Sequence, residues 1–76
     1  MITLEKLRET KTGLSQKAIA EMLGVSPSSY CYYEKGKRIP SFDKMVALAN
    51  LFGVDTQLII NIFLPKKLAN SKKRST

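Results

Sequence analysis

Residues 14–40 read LSQKAIAEMLGVSPSSYCYYEKGKRIP, and they carry the strongest structural signal in the chain. Ser15 precedes the apolar positions Ala18, Ile19, Met22 and Leu23, whose three- and four-residue spacing predicts a helix that Ser15 caps. Gly24 ends this helix, because glycine enters the left-handed conformation beyond a helix terminus without a steric penalty. Ser26 caps a second helix, and Pro27 takes its first position, where a missing N–H leaves no helical bond unmade.

Outward from this stretch, Thr3 caps a helix expected to run to about Thr10, with Leu4, Leu7 and the stem of Lys11 along one side. Thr12 and Gly13 turn the chain towards Ser15. On the other side, Lys35-Gly36-Lys37-Arg38-Ile39-Pro40 reads as a loop, and Pro40 bars helix just before Ser41. Ser41 caps a helix with apolar Phe42, Met45, Val46, Leu48, Ala49 and Phe52, ended by Gly53. Asp55 caps a last helix through about Phe63, closed by Pro65. There are no alternating apolar–polar runs, hairpin signals or internal repeats. The expected fold is therefore all-α: one five-helix domain over residues 1–64, followed by a basic, flexible tail over residues 65–76.

Composition narrows the function class. The chain has 76 residues, a net charge of +7, no histidine and one cysteine. Residues 65–76 hold five basic residues and no acidic ones, whereas residues 1–64 hold eight basic against six acidic. A weakly basic body with a strongly basic end suits a polyanionic partner; a basic end is also an ordinary solvated terminus. No apolar run approaches the roughly 20 residues of a membrane span. There is also no basic-then-apolar leader, so a cytoplasmic protein without membrane contact is expected. Cys31 has no partner for an internal disulfide, which agrees with a reducing compartment. Without histidine, paired carboxylates, a phosphate-cradling glycine loop or a base for Cys31, neither an enzyme nor a metal site is expected. No cofactor or small-molecule ligand is expected either, because so short a chain leaves no room for a separate sensing domain.

Two helices joined through a short glycine-containing turn form a helix-turn-helix unit, whose second helix fits the major groove of DNA. With Leu14-Ser15-Gln16, Ile19-Ala20, Leu23-Gly24-Val25-Ser26, Tyr33-Glu34-Lys35-Gly36-Lys37-Arg38 and Pro40-Ser41 in this order and spacing, the chain resembles the phage-repressor and Cro (Xre) family. The likeness extends more loosely from Leu4 to about Ile60. It implies a compact, lambda-repressor-like five-helix domain that binds operator DNA, usually as a dimer. The connection between the first two helices is one residue longer than the family pattern.

At about 100° per residue, Pro27, Ser28, Cys31, Tyr32 and Lys35 share one side of the recognition helix. Ser29, Tyr30 and Tyr33 share the other, with Glu34 at the boundary. The resemblance implies that the first group faces the groove and the second the core. Ser28 and Tyr32 are then the candidates for base-edge contacts, with Ser26 and Pro27 opening the helix at the DNA. Cys31 either packs against a thymine methyl or acts as a redox sensor, although no resolving cysteine exists to complete the latter. The resemblance places Gln16 against a phosphate beside Lys17, at the start of the preceding helix. Lys35, Lys37 and Arg38 would grip the backbone beyond the recognition helix. It also pairs Glu34 with an arginine of the first helix, for which Arg8 is the candidate.

In the last helix, Leu58 and Ile62 are expected to pack on the domain with Ile59 and Phe63 flanking them. Ile60 and Leu64 would then lie on the far side as a homodimer interface, unless the tail folds over them. These readings converge on a sequence-specific, DNA-binding transcriptional regulator, Cro-like or repressor-like, of a prophage or mobile element, with double-stranded operator DNA as partner. The competing reading is a protein-binding modulator of a repressor or toxin that keeps the same fold.

Overall fold

The computed structural model describes residues 2–64, and the basic segment 65–76 lies outside the described residues. Five helices follow one another: α1 over Leu4–Leu7, α2 over Gln16–Leu23, α3 over Pro27–Lys35, α4 over Phe42–Phe52 and α5 over Thr56–Phe63. Each starts where a short oxygen-bearing side chain can accept an orphan backbone N–H. Thr3 accepts from Lys6, Ser15 from Ala18, Ser26 from Ser29, Ser41 from Lys44 and Asp55 from Gln57.

Between α1 and α2 the chain does something the sequence pattern did not suggest. The helix does not run on to Thr10 in α-helical form; Arg8–Thr12 widens into a π-helical turn. Its Gly13 N–H reaches back five residues to the Arg8 carbonyl at 2.9 Å. A wider turn takes up an extra residue without unravelling the helix, which accounts for the longer connection. Thr12 seals the end, donating to the Arg8 carbonyl at 2.7 Å and accepting from the Leu14 N–H at 3.0 Å. Gly13 then turns the chain at φ +67°, a conformation that strains a side-chain-bearing residue. Lys11, expected to line the packed side, is exposed.

The core is drawn from all five helices. Leu4, Leu7, Ile19, Tyr30, Leu48 and Ile59 are the largest fully buried side chains, each contributing on the order of 1.5–3 kcal/mol through apolar burial. α2 packs on α3, α4 on α5, and α3 and α4 reach α1 and α2 respectively. Lys44 ties α4 to α2 by donating from Nζ to the Leu23 carbonyl at 2.8 Å.

Three helix faces differ from the sequence expectation. In α2, Ala20 is buried and Met22 is 61% exposed. In α4, Phe42 is 62% exposed. It directly follows the cap, where the helix has not yet reached its neighbours. In α5 the core face belongs to Ile59 and Phe63, while Leu58 and Ile62 are only half-buried. The phase of α5 turns its polar stripe, Gln57 and Asn61 joined at 3.0 Å, to solvent and sets Ile59 and Phe63 opposite it. The Phe63 ring sets that phase by packing edge-to-face on Tyr33, with centroids 6.3 Å apart. As a result Ile60 is half-buried against the core and does not stand clear on the far side, whereas Leu64 is exposed.

Candidate nucleic-acid interface

α3 divides as the 100° rule requires. Tyr30 and Tyr33 are buried and meet edge-to-face at 6.2 Å, holding the inner side of the helix in the core. Pro27, Ser28, Tyr32 and Lys35 are exposed on the outer side, and Cys31 is half-buried at its margin. At its start, Ser26 Oγ accepts from the Ser29 N–H at 3.1 Å and donates to Ser29 Oγ at 3.0 Å. The Ser26 hydroxyl is therefore occupied by capping.

Beneath this face lies a charged cluster linking three elements. Arg8 donates from Nε to Glu34 Oε2 at 2.6 Å and from Nη2 to Oε1 at 3.3 Å, while its Nη1 holds the Leu14 carbonyl at 2.9 Å. Gln16 Nε2 donates to the same Glu34 Oε1 at 2.7 Å. The expected Arg8–Glu34 clamp is thus present, and the π-helical turn that starts at Arg8 is compatible with it. Burial alone would raise the Glu34 pKa, but the hydrogen bonds from Arg8 and Gln16 outweigh it and hold the carboxylate below its ordinary range. Glu34 in turn raises Arg8, against a smaller opposing effect of burial. A buried tyrosine hydroxyl ordinarily finds a hydrogen-bond partner, and that of Tyr30 does not. It is sealed beside this cluster without a well-aligned bond, and burial followed by the neighbouring carboxylate raises its pKa.

Gln16 was expected to face a phosphate with its amide. Instead, one amide N–H is bound to Glu34, which fixes the side chain at the start of α2 and leaves a second N–H and the carbonyl oxygen available. Lys17 beside it is exposed, as are Lys35 and Lys37 beyond α3. Arg38 is placed differently from the lysines of its loop. It folds back over α3, its Cζ 5.9 Å from the Tyr32 ring centroid and its Nη1 donating to Ser29 Oγ at 3.3 Å. Ser29, which the helical pattern had assigned to the core side, is the missed residue here. No periodicity marks a serine as the tether of an arginine nine positions later.

Among the described residues, no group of three or more cysteine or acidic side chains is gathered as metal ligands. No helix among them is long and apolar enough to cross a membrane. What the arrangement offers is an exposed outer face on α3, with the exposed Lys17 near the start of α2 and the exposed Lys35 and Lys37 at the end of α3 and beyond it.

The chain is similar in sequence to known proteins. The chain is 37% identical over 57 residues to YonR, an SPbeta prophage-derived HTH-type transcriptional regulator of Bacillus subtilis strain 168, covering 75% of this chain and 52% of the relative. It is 33% identical over 60 residues to YobD, another HTH-type transcriptional regulator of that organism, covering 76% of this chain and 54% of the relative. The chain thus spans about half the length of these relatives. No solved structure matches it. The helix-turn-helix family profile matches residues 4–59, most of the chain, with both helices of the unit inside the match. By sequence and by fold, the chain belongs to the Xre-type helix-turn-helix family.

Proposed function

We propose that this protein is an intracellular, sequence-specific regulator of transcription that inserts α3 into the major groove of double-stranded operator DNA. The observation that carries this reading is the outer face of α3. Ser28 and Tyr32 are exposed there on a helix whose inner side is locked by Tyr30 and Tyr33. A recognition helix needs both: side chains free to meet base edges, and a rigid seat that fixes where they point. Gln16 and Lys17 at the start of α2, with Lys35 and Lys37 beyond α3, are placed to hold the phosphates on either side. Cys31, at the margin of the face, fits apolar contact with a thymine methyl.

A two-fold dimer would let two copies of α3 reach successive major grooves. Leu64, exposed at the end of α5, and the half-buried Ile60 next to it in space along the helix are the residues we assign to that contact. The prophage origin of one relative agrees with a role in a prophage or mobile element. A second reading, docking on another protein, draws support from Ile39 and Phe42, which are 57% and 62% exposed beside the basic loop. Selection of bound sites from random DNA tests the first reading directly. A consensus with half-sites about one helical turn apart supports it, and salt-dependent binding to the selected site supports phosphate contact. Binding that is weak, salt-insensitive and without a consensus favours the protein-docking reading.

A further inference from the structure

We infer that Arg38 is a base reader that recognises guanine from a platform on α3, and that it is not one of the interchangeable phosphate-gripping cations of its loop. This inference rests on the proposed entry of α3 into the major groove. Arg38 comes from the loop, yet its guanidinium lies over the ring of Tyr32, which stands on the exposed face of α3. A second tether holds it there, from Nη1 to Ser29 Oγ at 3.3 Å, and Ser29 is itself held by Ser26 Oγ at 3.0 Å. A cation–π contact with the ring and a hydrogen bond together restrict where the guanidinium lies.

That degree of order distinguishes the two roles. A phosphate contact needs only a positive charge near the backbone, which the exposed Lys35 and Lys37 already supply on either side of Gly36. Base readout needs donors at fixed positions. With Nη1 engaged by Ser29, the Nε–Nη2 edge remains open, and two parallel N–H groups of this kind match the O6 and N7 acceptors of guanine. The groove face of α3 itself bears no arginine, asparagine or glutamine. Arg38 supplies from outside the helix the bidentate reader that the helix lacks, with Tyr32 as its positioning residue.

The test is site selection from random DNA with the full chain and four variants: Arg38→Lys, Arg38→Ala, Tyr32→Phe and Tyr32→Leu. Both residues are exposed, and circular dichroism checks that each variant is folded. The wild type should select a guanine in each half-site. Arg38→Lys and Arg38→Ala should both lose preference at that position, by roughly ten- to a hundredfold in relative affinity. Tyr32→Leu should lose it as well, and Tyr32→Phe, which keeps the ring, should retain it. An Arg38→Lys protein that selects the same consensus with the same discrimination would overturn the inference, as would a wild-type consensus without guanine. A wild type that selects no consensus would overturn the DNA-reading proposal itself, a result distinct from either of these.

Discussion

Replacing Glu34 by glutamine keeps the shape at the centre of the Arg8–Glu34–Gln16 cluster and removes its charge. In the native protein the carboxylate accepts from Arg8 twice and from Gln16 once, and the two ion-pair side chains are only 13% and 5% exposed. Breaking a fully buried pair costs about 3–5 kcal/mol, and an exposed pair contributes about 0–1 kcal/mol. This pair is mostly buried and retains some solvent contact on the arginine side, so about 2–3 kcal/mol is the expected loss. In a domain of this size each kcal/mol moves the melting temperature by about 4–8 °C, so Glu34→Gln should melt at least about 8 °C below the wild type. Thermal and urea denaturation followed by circular dichroism measure it. A double variant, Arg8→Met with Glu34→Leu, should recover much of the loss, because an apolar pair leaves no unpaired charge.

The same carboxylate fixes a pH dependence with a definite sign. Burial opposes ionisation of Glu34, but the bonds from Arg8 and Gln16 prevail, and its folded pKa lies below the ordinary 4.5. At pH values between the two, the unfolded chain binds a proton that the folded chain rejects. The stabilisation is therefore complete above about pH 4.5 and is lost as the pH falls through the folded value. Glu34→Gln should flatten the acid limb of the stability curve. A variant that melts within 2–3 °C (roughly half a kcal/mol) of the wild type at pH 7, with an unchanged acid limb, would refute the claim that this ion pair holds α3 to α1.

Lys37→Ala should weaken binding to all DNA sequences alike and lower the log–log salt slope by about one unit, read from binding isotherms between 50 and 200 mM salt, roughly the range over which phosphate contacts dominate. Ser28→Ala should cost on the order of 1–3 kcal/mol against the selected operator and almost nothing against random DNA; equal losses on both would remove Ser28 from the base contacts. Leu64→Glu should remain folded but sediment as a monomer, and a wild type already monomeric at high micromolar concentration would leave the dimer without support. Removal of residues 65–76 should weaken binding at low salt without changing the consensus, whereas dissociation into monomers would assign that segment to the dimer contact.

Most of the scaffold is legible in the sequence because its boundaries are set locally. Thr3, Ser15, Ser26, Ser41 and Asp55 each announce a helix start through a side chain that can bond only a neighbouring backbone N–H. The inner side of α3 is legible only with the family resemblance, because the opposite side also carries an aromatic residue, Tyr32. Local signals fail where the answer depends on a neighbour. In α5 the contact of Phe63 with Tyr33 is one such answer, although the exposed Gln57–Asn61 stripe marks the opposite side in the sequence. The widening at Arg8–Thr12 rests on a backbone bond from Gly13 to the Arg8 carbonyl, which no side-chain pattern announces. Arg38 reads as one more cation in a basic loop, because its partners Ser29 and Tyr32 are reached by folding back across α3.

An acidic side chain beside a surface meant for phosphates needs a physical reason, and the cluster provides one. Screening leaves charges felt over about 8–10 Å at ordinary ionic strength, so an unpaired Glu34 carboxylate would repel the DNA backbone that we propose Gln16 meets. Paired with Arg8, it presents little net charge to the DNA while keeping its hydrogen-bonding capacity. That capacity is spent on Gln16, whose amide is held at 2.7 Å before any DNA arrives. A side chain already ordered loses less rotamer freedom on contact with a phosphate than one recruited from solution. The ion pair that joins α1 to α3 therefore also sets the geometry of the first residue of α2. Stability of the fold and precision at the interface rest on the same carboxylate, so a change at Glu34 should register in both denaturation and DNA affinity.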